Sequence, residues 1–155
     1  MSLKAKPVAA SRTILSQMML PEHSNTQGNV HGGWIMKLVD ESGALACMRH
    51  AQHRVVTVAI DQMTFTHPIK IGDVVILEAE VSYTGRTSME AQVKVFSENP
   101  VTGERTATNT AYLVYVALDE SGTPVEVPGL ELTTEAERTR FENGKQRQAR
   151  RLANR

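Results

Sequence analysis

The chain has 155 residues, 41% of them hydrophobic and 22% charged, with 17 Lys plus Arg against 17 Asp plus Glu. That length suits one domain with its own core, and zero net charge offers no field to recruit nucleic acid or an anionic membrane. No apolar run approaches the roughly 18 residues of a membrane span, no secretory signal opens the chain, and the single cysteine, Cys47, excludes an internal disulfide or a structural zinc site.

The expectation is a cytoplasmic domain without nucleic-acid or membrane partners. Residues 1–11 read as a flexible N-terminus, and one strand precedes the glycine turn at 28–33. Residues 33–52 form the one long helix: Ile35, Leu38, Val39, Leu45 and Ala46 recur at helical spacing without an interrupting proline. Gly43 inside this helix costs about 1 kcal/mol against Ala, which points to a packing or active-site reason for it.

Beyond His53 the period changes to two. Val56, Val58 and Ile60 share one face, with Met63 and Phe65 in the opposite phase, so a bulge is expected near Asp61–Gln62. His67–Pro68 ends that strand. Val75, Leu77, Ala79 and Val81 alternate with polar residues in the next, and Thr84–Gly85–Arg86 turns into a strand with Met89, Ala91, Val93 and Val95 inward. Residues 105–118 are apolar or small on both faces, as in a central strand. The order strand, helix, four hairpin-connected strands predicts an α+β fold with the antiparallel sheet wrapped around the helix.

Residues 131–155 form a basic helical tail. From 133 on it holds seven basic residues (Arg138, Arg140, Lys145, Arg147, Arg150, Arg151, Arg155) and three acidic ones. Such a helix either packs on the acidic body of the domain or offers its cations to a polyanion or a partner subunit.

The familiar nucleotide-binding, hydrolase-elbow and zinc signatures are absent. Cys47 falls on the apolar helix, as a core residue does, and His50 and His53 sit near the helix end, where a positive side chain suits the dipole. With no third ligand beside them, no metal site is expected. What remains is Gly28-Asn29-Val30-His31-Gly32-Gly33-Trp34, running straight into the helix. Either Asn29 caps the helix and the glycines make a tight turn, or the unpaired N–H groups of the first turn hold a developing oxyanion. Asp40 lies about 10 Å further along, on a face with Met36, Gly43, Ala44 and Cys47, while Glu41 points to solvent. A carboxylate there has a raised pKa and suits a base or nucleophile, unless it is partnered.

Asn29-Val30-His31-Gly32-Gly33, Met36-Lys37-Leu38-Val39-Asp40-Glu41, Val55-Val56-Thr57 and Met63-Thr64-Phe65, in this order and spacing, resemble the hot-dog-fold acyl-CoA thioesterases. The likeness is to the brain-type acyl-CoA hydrolases and their single-domain bacterial relatives, and it runs from about residue 12 into the tail. It implies a hot-dog domain over 12–130 and a fatty acyl-CoA thioesterase that needs no cofactor. Asn29 and Asp40 are the implied catalytic pair, brought together across a dimer by antiparallel central helices, with a trimer of dimers as the larger assembly. The backbone N–H of Gly33 or Trp34 then receives the thioester oxygen, His31 and Gly32 shape the loop, and Asp40 activates water or attacks directly. CoA is expected along Val56, Thr57 and Val58, with Arg86, Thr87 and Ser88 toward its phosphates and Arg54 and the tail cations as further candidates. The acyl chain is expected near Met36 and Met63. Two rival readings are a hydratase or dehydratase on the same fold, which needs a histidine paired with a carboxylate, and a non-catalytic acyl-CoA sensor.

Overall fold

The computed structural model describes residues 3–61 and 63–154. Strand β1 (Lys6–Pro7) leads through one 3-10 turn into β2 (Thr13–Met18), and α1 (Gly32–Ala51) follows. Strands β3 (Arg54–Ile60), β4 (Val74–Thr84), β5 (Ser88–Glu98) and β6 (Arg105–Leu118) come next, then β7 (Leu130–Glu131) and α2 (Glu135–Ala153). The main sheet is antiparallel throughout, in the order β2-β4-β5-β6-β3. Helix α1 packs against all five of its strands, so the sheet curves around the helix as the order of elements predicted. The core lies between them: Ile35, Leu38, Val39, Ala46 and Cys47 of α1 meet Val75, Leu77, Ala79, Val81, Val93 and Leu113, all buried.

Three expectations need correction. Residues 6–11 are built into the fold: β1 pairs in parallel with β7, and Val8 and Ser11 are buried. Strand β3 makes no hairpin with β4; it crosses to the far edge of the sheet and pairs with β6. Local periodicity reports a strand but not its distant partner. The bulge sits at Val58, between the Thr57–Tyr115 and Ala59–Val114 pairs, and β3 ends at Ile60; Gln62 lies outside the described residues.

Helix α2 covers the other face of the sheet, where Glu90 and Gln92 alternate with the core residues Met89, Ala91 and Val93. Arg147 clamps the buried Glu90 with two 2.8 Å hydrogen bonds, Arg140 meets Glu80 at 3.1 Å, and Phe141 packs on Tyr83 with ring centroids 4.9 Å apart. Gly144 makes this fit: a Cβ there would lie 2.6 Å from Tyr83 Cβ and 2.9 Å from Glu90 Oε1. The tail therefore packs on the acidic body, the first of the two readings. Arg155 lies outside the described residues.

His50 also departs from expectation. It is fully buried at the end of α1, its Nε2 hydrogen-bonded at 2.7 Å to the Pro128 carbonyl, while Lys6 Nζ donates to the His50 carbonyl. Burial pushes its pKa below the ordinary value, so the neutral ring serves as a clasp between α1 and the two chain ends and adds no charge to the dipole.

Candidate active site

The loop before α1 is fastened by its own backbone. Asn25 Oδ1 accepts the N–H groups of Gln27 (2.8 Å) and Asn29 (3.1 Å), and the Asn25 N–H donates to the Asn29 carbonyl at 2.7 Å. Gly28, at φ +84°, permits the tight return. The helix cap is His31 and not Asn29: its Nδ1 accepts the Gly33 N–H at 2.9 Å, and its carbonyl accepts the Trp34 N–H at 3.0 Å. The two donors expected to receive an oxyanion are thus occupied within the chain, and the histidine that a hydratase needs is holding the helix end. Trp34 stacks on His23 with ring centroids 4.3 Å apart. A hollow of about 290 Å³ opens beside this turn, lined by Asn25, Asn29, Gly32, Ile35 and Phe65. The side-chain oxygen of Asn25, one of the lining residues, is already anchored, and no bond to its NH₂ group is seen among the described residues.

Asp40 sits two turns along α1, half-buried and outside that hollow. Thr57 Oγ1 donates to its Oδ1 at 2.8 Å, and the Tyr115 hydroxyl lies 3.0 Å from the same oxygen and 2.9 Å from the Asp40 carbonyl. Among the described residues Oδ2 has no such partner. The carboxylate is therefore held by two hydroxyls through one oxygen, with the other free to take a proton. Tyr115 is fully buried, and burial, together with the charge of Asp40 and the bond to it, raises its pKa far above the ordinary value. It stays a donor at any working pH. Gly43 makes the arrangement fit, because a Cβ there would lie 2.6 Å from the Tyr115 hydroxyl.

Sequence reasoning missed Tyr115 and Asn25 and gave Thr57 a different role. Tyr115 stands at an inward position of β6, in phase with Ala111, Leu113 and Ala117, where it reads as core. Its one signal was the unexplained glycine in the facing helix. Asn25 sits in Asn-Thr-Gln-Gly, which reads as an ordinary turn. Thr57 faces Asp40 from β3, whereas Val56 and Val58 on the same strand are 44% and 53% exposed. Val58 joins Thr87 and Ser88 in a hollow of about 340 Å³, but Arg86 does not line it.

Arg54 donates to the carbonyls of Asp119 and Glu120, and Glu41 forms an exposed ion pair with Lys37. Met36 is 39% exposed, and Met63 packs against the core. Burial, with Glu90 adding to it, raises the Cys47 thiol far above its ordinary pKa, so it is no nucleophile. Among the described residues no group of three or more His, Cys, Asp or Glu is arranged to hold a metal, and no helix is long and apolar enough to cross a membrane.

The thioesterase superfamily model matches residues 27–104. An uncharacterized acyl-CoA thioester hydrolase of Bacillus subtilis is 36% identical over 127 residues, covering 82% of this chain and 74% of that protein. The crystal structure of an apo hexameric acyl-CoA thioesterase is 42% identical, with a TM-score of 0.93 over 98% of this chain and 97% of the other. An acyl-CoA hydrolase of Staphylococcus aureus, solved with butyryl coenzyme A, coenzyme A and coenzyme A disulfide, is 33% identical, with a TM-score of 0.88 over 97% and 92%. Further structures of that enzyme carry alanine in place of an asparagine, an aspartate and a threonine. The asparagine lies fifteen residues before the aspartate, and the threonine seventeen after it. Counted from Asp40, the same intervals fall on Asn25 and Thr57.

Proposed function

The chain belongs to the thioesterase superfamily, and from that premise we propose that it hydrolyses fatty acyl-CoA thioesters to a carboxylic acid and CoA. The observation that carries this reading is the Asp40 carboxylate, oriented through Oδ1 by Thr57 and Tyr115 with Oδ2 left free. Oδ2 takes a proton from water as the water oxygen attacks the thioester carbonyl. The tetrahedral intermediate collapses by breaking the C–S bond, and the CoA thiolate leaves. A thiolate is a good leaving group near neutral pH, so little more is needed than a positioned base and a donor for the carbonyl oxygen.

We assign that donor to the Asn25 NH₂ rather than to Gly33 or Asn29. Asn25 is preorganised by its anchored oxygen, and its spacing to Asp40 and Thr57 matches the three positions altered in the staphylococcal enzyme. Asn29 lines the same hollow and fixes Asn25 through its backbone. Asp40 does not line that hollow, and in this reading a complete site takes Asn25 from one subunit and Asp40 from another, giving two equivalent sites per dimer. Val56, Val58 and Ile60, all exposed along the edge strand β3, supply an apolar surface for such a partner. The hexameric neighbour supports a trimer of dimers as the larger assembly. CoA enters as substrate and leaves as product, and no cofactor takes part. A single unpaired cysteine suits a reducing compartment, and we assign the reaction to the cytoplasm.

The test is thiol release from a panel of acyl-CoAs of increasing chain length. Release that scales with enzyme and falls at least a hundredfold in Asp40→Asn, with CoA binding retained, is the expected result. No release from any acyl-CoA while CoA still binds would replace hydrolysis with the sensor reading.

A further inference from the structure

The loop that carries Asn25 begins with a single 3-10 turn, Pro21–His23, and one residue closes that turn twice. The His23 N–H donates to the Leu20 carbonyl at 2.9 Å, and the His23 ring accepts the Leu20 N–H on Nδ1, also at 2.9 Å. The His23 carbonyl accepts the His31 N–H at 2.8 Å, so the same residue ties the entry of the loop to its exit. Beyond that tie the two arms pair as a short ladder. Ser24 bridges to Val30, and the Asn25 N–H donates to the Asn29 carbonyl at 2.7 Å. The outer arm has its own anchors, since the Val30 N–H donates to the Ile69 carbonyl and Asn29 bridges to Lys70. For the inner arm, which carries Asn25, the corresponding anchor is His23.

The ring itself is 3% exposed. Leu20 N–H can only donate, so Nδ1 is the acceptor and the ring proton stands on Nε2. One face of the ring stacks on Trp34, with centroids 4.3 Å apart and planes 30° from parallel. Trp34 belongs to the first turn of α1, and its own N–H is bonded to the His31 carbonyl. Its indole Nε1 is buried with no partner among the described residues, so the indole is set by its stacked face and not by its polar edge. Turn, ladder and helix start therefore meet at one histidine ring. A buried ring that served only to fill space would need no acceptor nitrogen at this point.

Resting on the proposed hydrolysis and on Asn25 as the donor to the thioester oxygen, we infer that His23 is a positioning residue. Its ring, held between the Leu20 N–H and the face of Trp34, sets where the Asn25 amide stands, and it acts on the reaction only through Asn25. A misplacement of about 1 Å at a group that meets the reacting atoms costs on the order of a hundredfold in rate.

The experiment measures thiol release from one acyl-CoA for the wild type, His23→Asn, His23→Gln and His23→Phe, each with Asn25 intact and with Asn25→Ala. Asparagine puts an acceptor oxygen where Nδ1 stands, glutamine carries its oxygen one bond further, and phenylalanine keeps the stacked ring without an acceptor. His23→Gln and His23→Phe are expected to lower kcat about ten- to a hundredfold with KM within about twofold, because the loss falls on the developing oxyanion. His23→Asn should stay within about fivefold of the wild type. In the Asn25→Ala background the same changes should lower kcat by less than about twofold, since the residue through which they act is gone.

His23→Asn and His23→Gln remove the same ring, so their difference decides the question even where His23→Phe does not fold. Equal losses in those two, or losses that persist undiminished without Asn25, would overturn the inference and leave the hydrolase reading intact. Full activity in Asn25→Ala would overturn it as well. Hydrogen exchange gives a reading that needs no turnover: amides of residues 20–31 should exchange faster in His23→Gln than in His23→Asn, while those of β4 and β5 stay unchanged. Equal exchange in the loop would overturn the inference. No thiol release from the wild type would instead strike the hydrolase reading, and this inference with it.

Discussion

Gly43→Ala is the substitution for which helix propensity and tertiary geometry give opposite signs. In an exposed helix interior it would stabilise by about 1 kcal/mol. Here the new methyl would stand 2.6 Å from the Tyr115 hydroxyl and 3.1 and 3.2 Å from two of its ring carbons. The ring is fully buried and cannot withdraw without breaking its bonds to the Asp40 carbonyl and Oδ1. Loss of a hydrogen bond to a charged group costs about 1.5–3 kcal/mol and overpacking about 1–3 kcal/mol. After the propensity gain the net is destabilisation by roughly 2–4 kcal/mol. At this chain length that lowers Tm by roughly 5–15 °C, and turnover falls with it because Asp40 loses one of its two orienting donors.

Tyr115→Phe separates the steric from the polar part. Without the hydroxyl the closest remaining contacts are the ring carbons, which need to yield only a few tenths of an ångström. The cost of Gly43→Ala should therefore shrink to about 1 kcal/mol or less in the Tyr115→Phe background, a coupling of roughly 1–3 kcal/mol in a double-mutant cycle. Thermal or denaturant unfolding of the four proteins, with thiol release measured on each, gives both quantities. A Gly43→Ala protein as stable and as active as the wild type, or penalties that simply add, would refute the Gly43–Tyr115–Asp40 arrangement.

Arg147→Ala leaves the buried Glu90 carboxylate without its bidentate partner. It should cost about 3–5 kcal/mol and release α2, visible as protease sensitivity confined to residues after 130. For His50, burial lowers the folded-state pKa, so below about 6.5 the unfolded chain binds more protons than the folded one and stability falls with pH. His50→Gln should flatten that acid limb in unfolding curves recorded from pH 7.5 to 5. Cys47 should stay unreactive toward a thiol reagent in the native protein and react stoichiometrically in denaturant, because its raised pKa and full burial withhold the thiolate.

Much of the frame was legible because one-dimensional periods encode it. Ile35, Leu38, Val39 and Ala46 set the helix to within a residue at each end, and the alternation at 75–81 and 89–95 set two strands and their inward faces. The path of β3 was not legible, since its pairing with β6 is a contact across some sixty residues that leaves no trace in local alternation. The bulge at Val58 belongs to that pairing and could not be located without it.

At the site, Asp40 stood out as a carboxylate on a face of small and apolar residues. Its partners did not, because Thr57 and Tyr115 come from two other strands and each reads locally as an ordinary strand residue. Gly43 recorded their presence only indirectly. The helix cap was not legible for a related reason: His31 closes the turn through its ring nitrogen, a role that side-chain preference gives first to asparagine. The charge asymmetry of the tail left two roles open, and the structure shows packing on the acidic body, realised through Glu80, Glu90 and Asp61.

The composite site is tested most directly by mixing subunits. Asn25→Ala and Asp40→Asn should each abolish most thiol release from acyl-CoA. When the two variants are co-expressed in equal amounts, half of the dimers are mixed, and each mixed dimer holds one intact site. Activity should therefore return to about a quarter of the wild-type rate. No recovery from subunits shown to have mixed would place Asn25 and Asp40 in the same subunit's site, or Asn25 outside the site altogether, and would contradict the account.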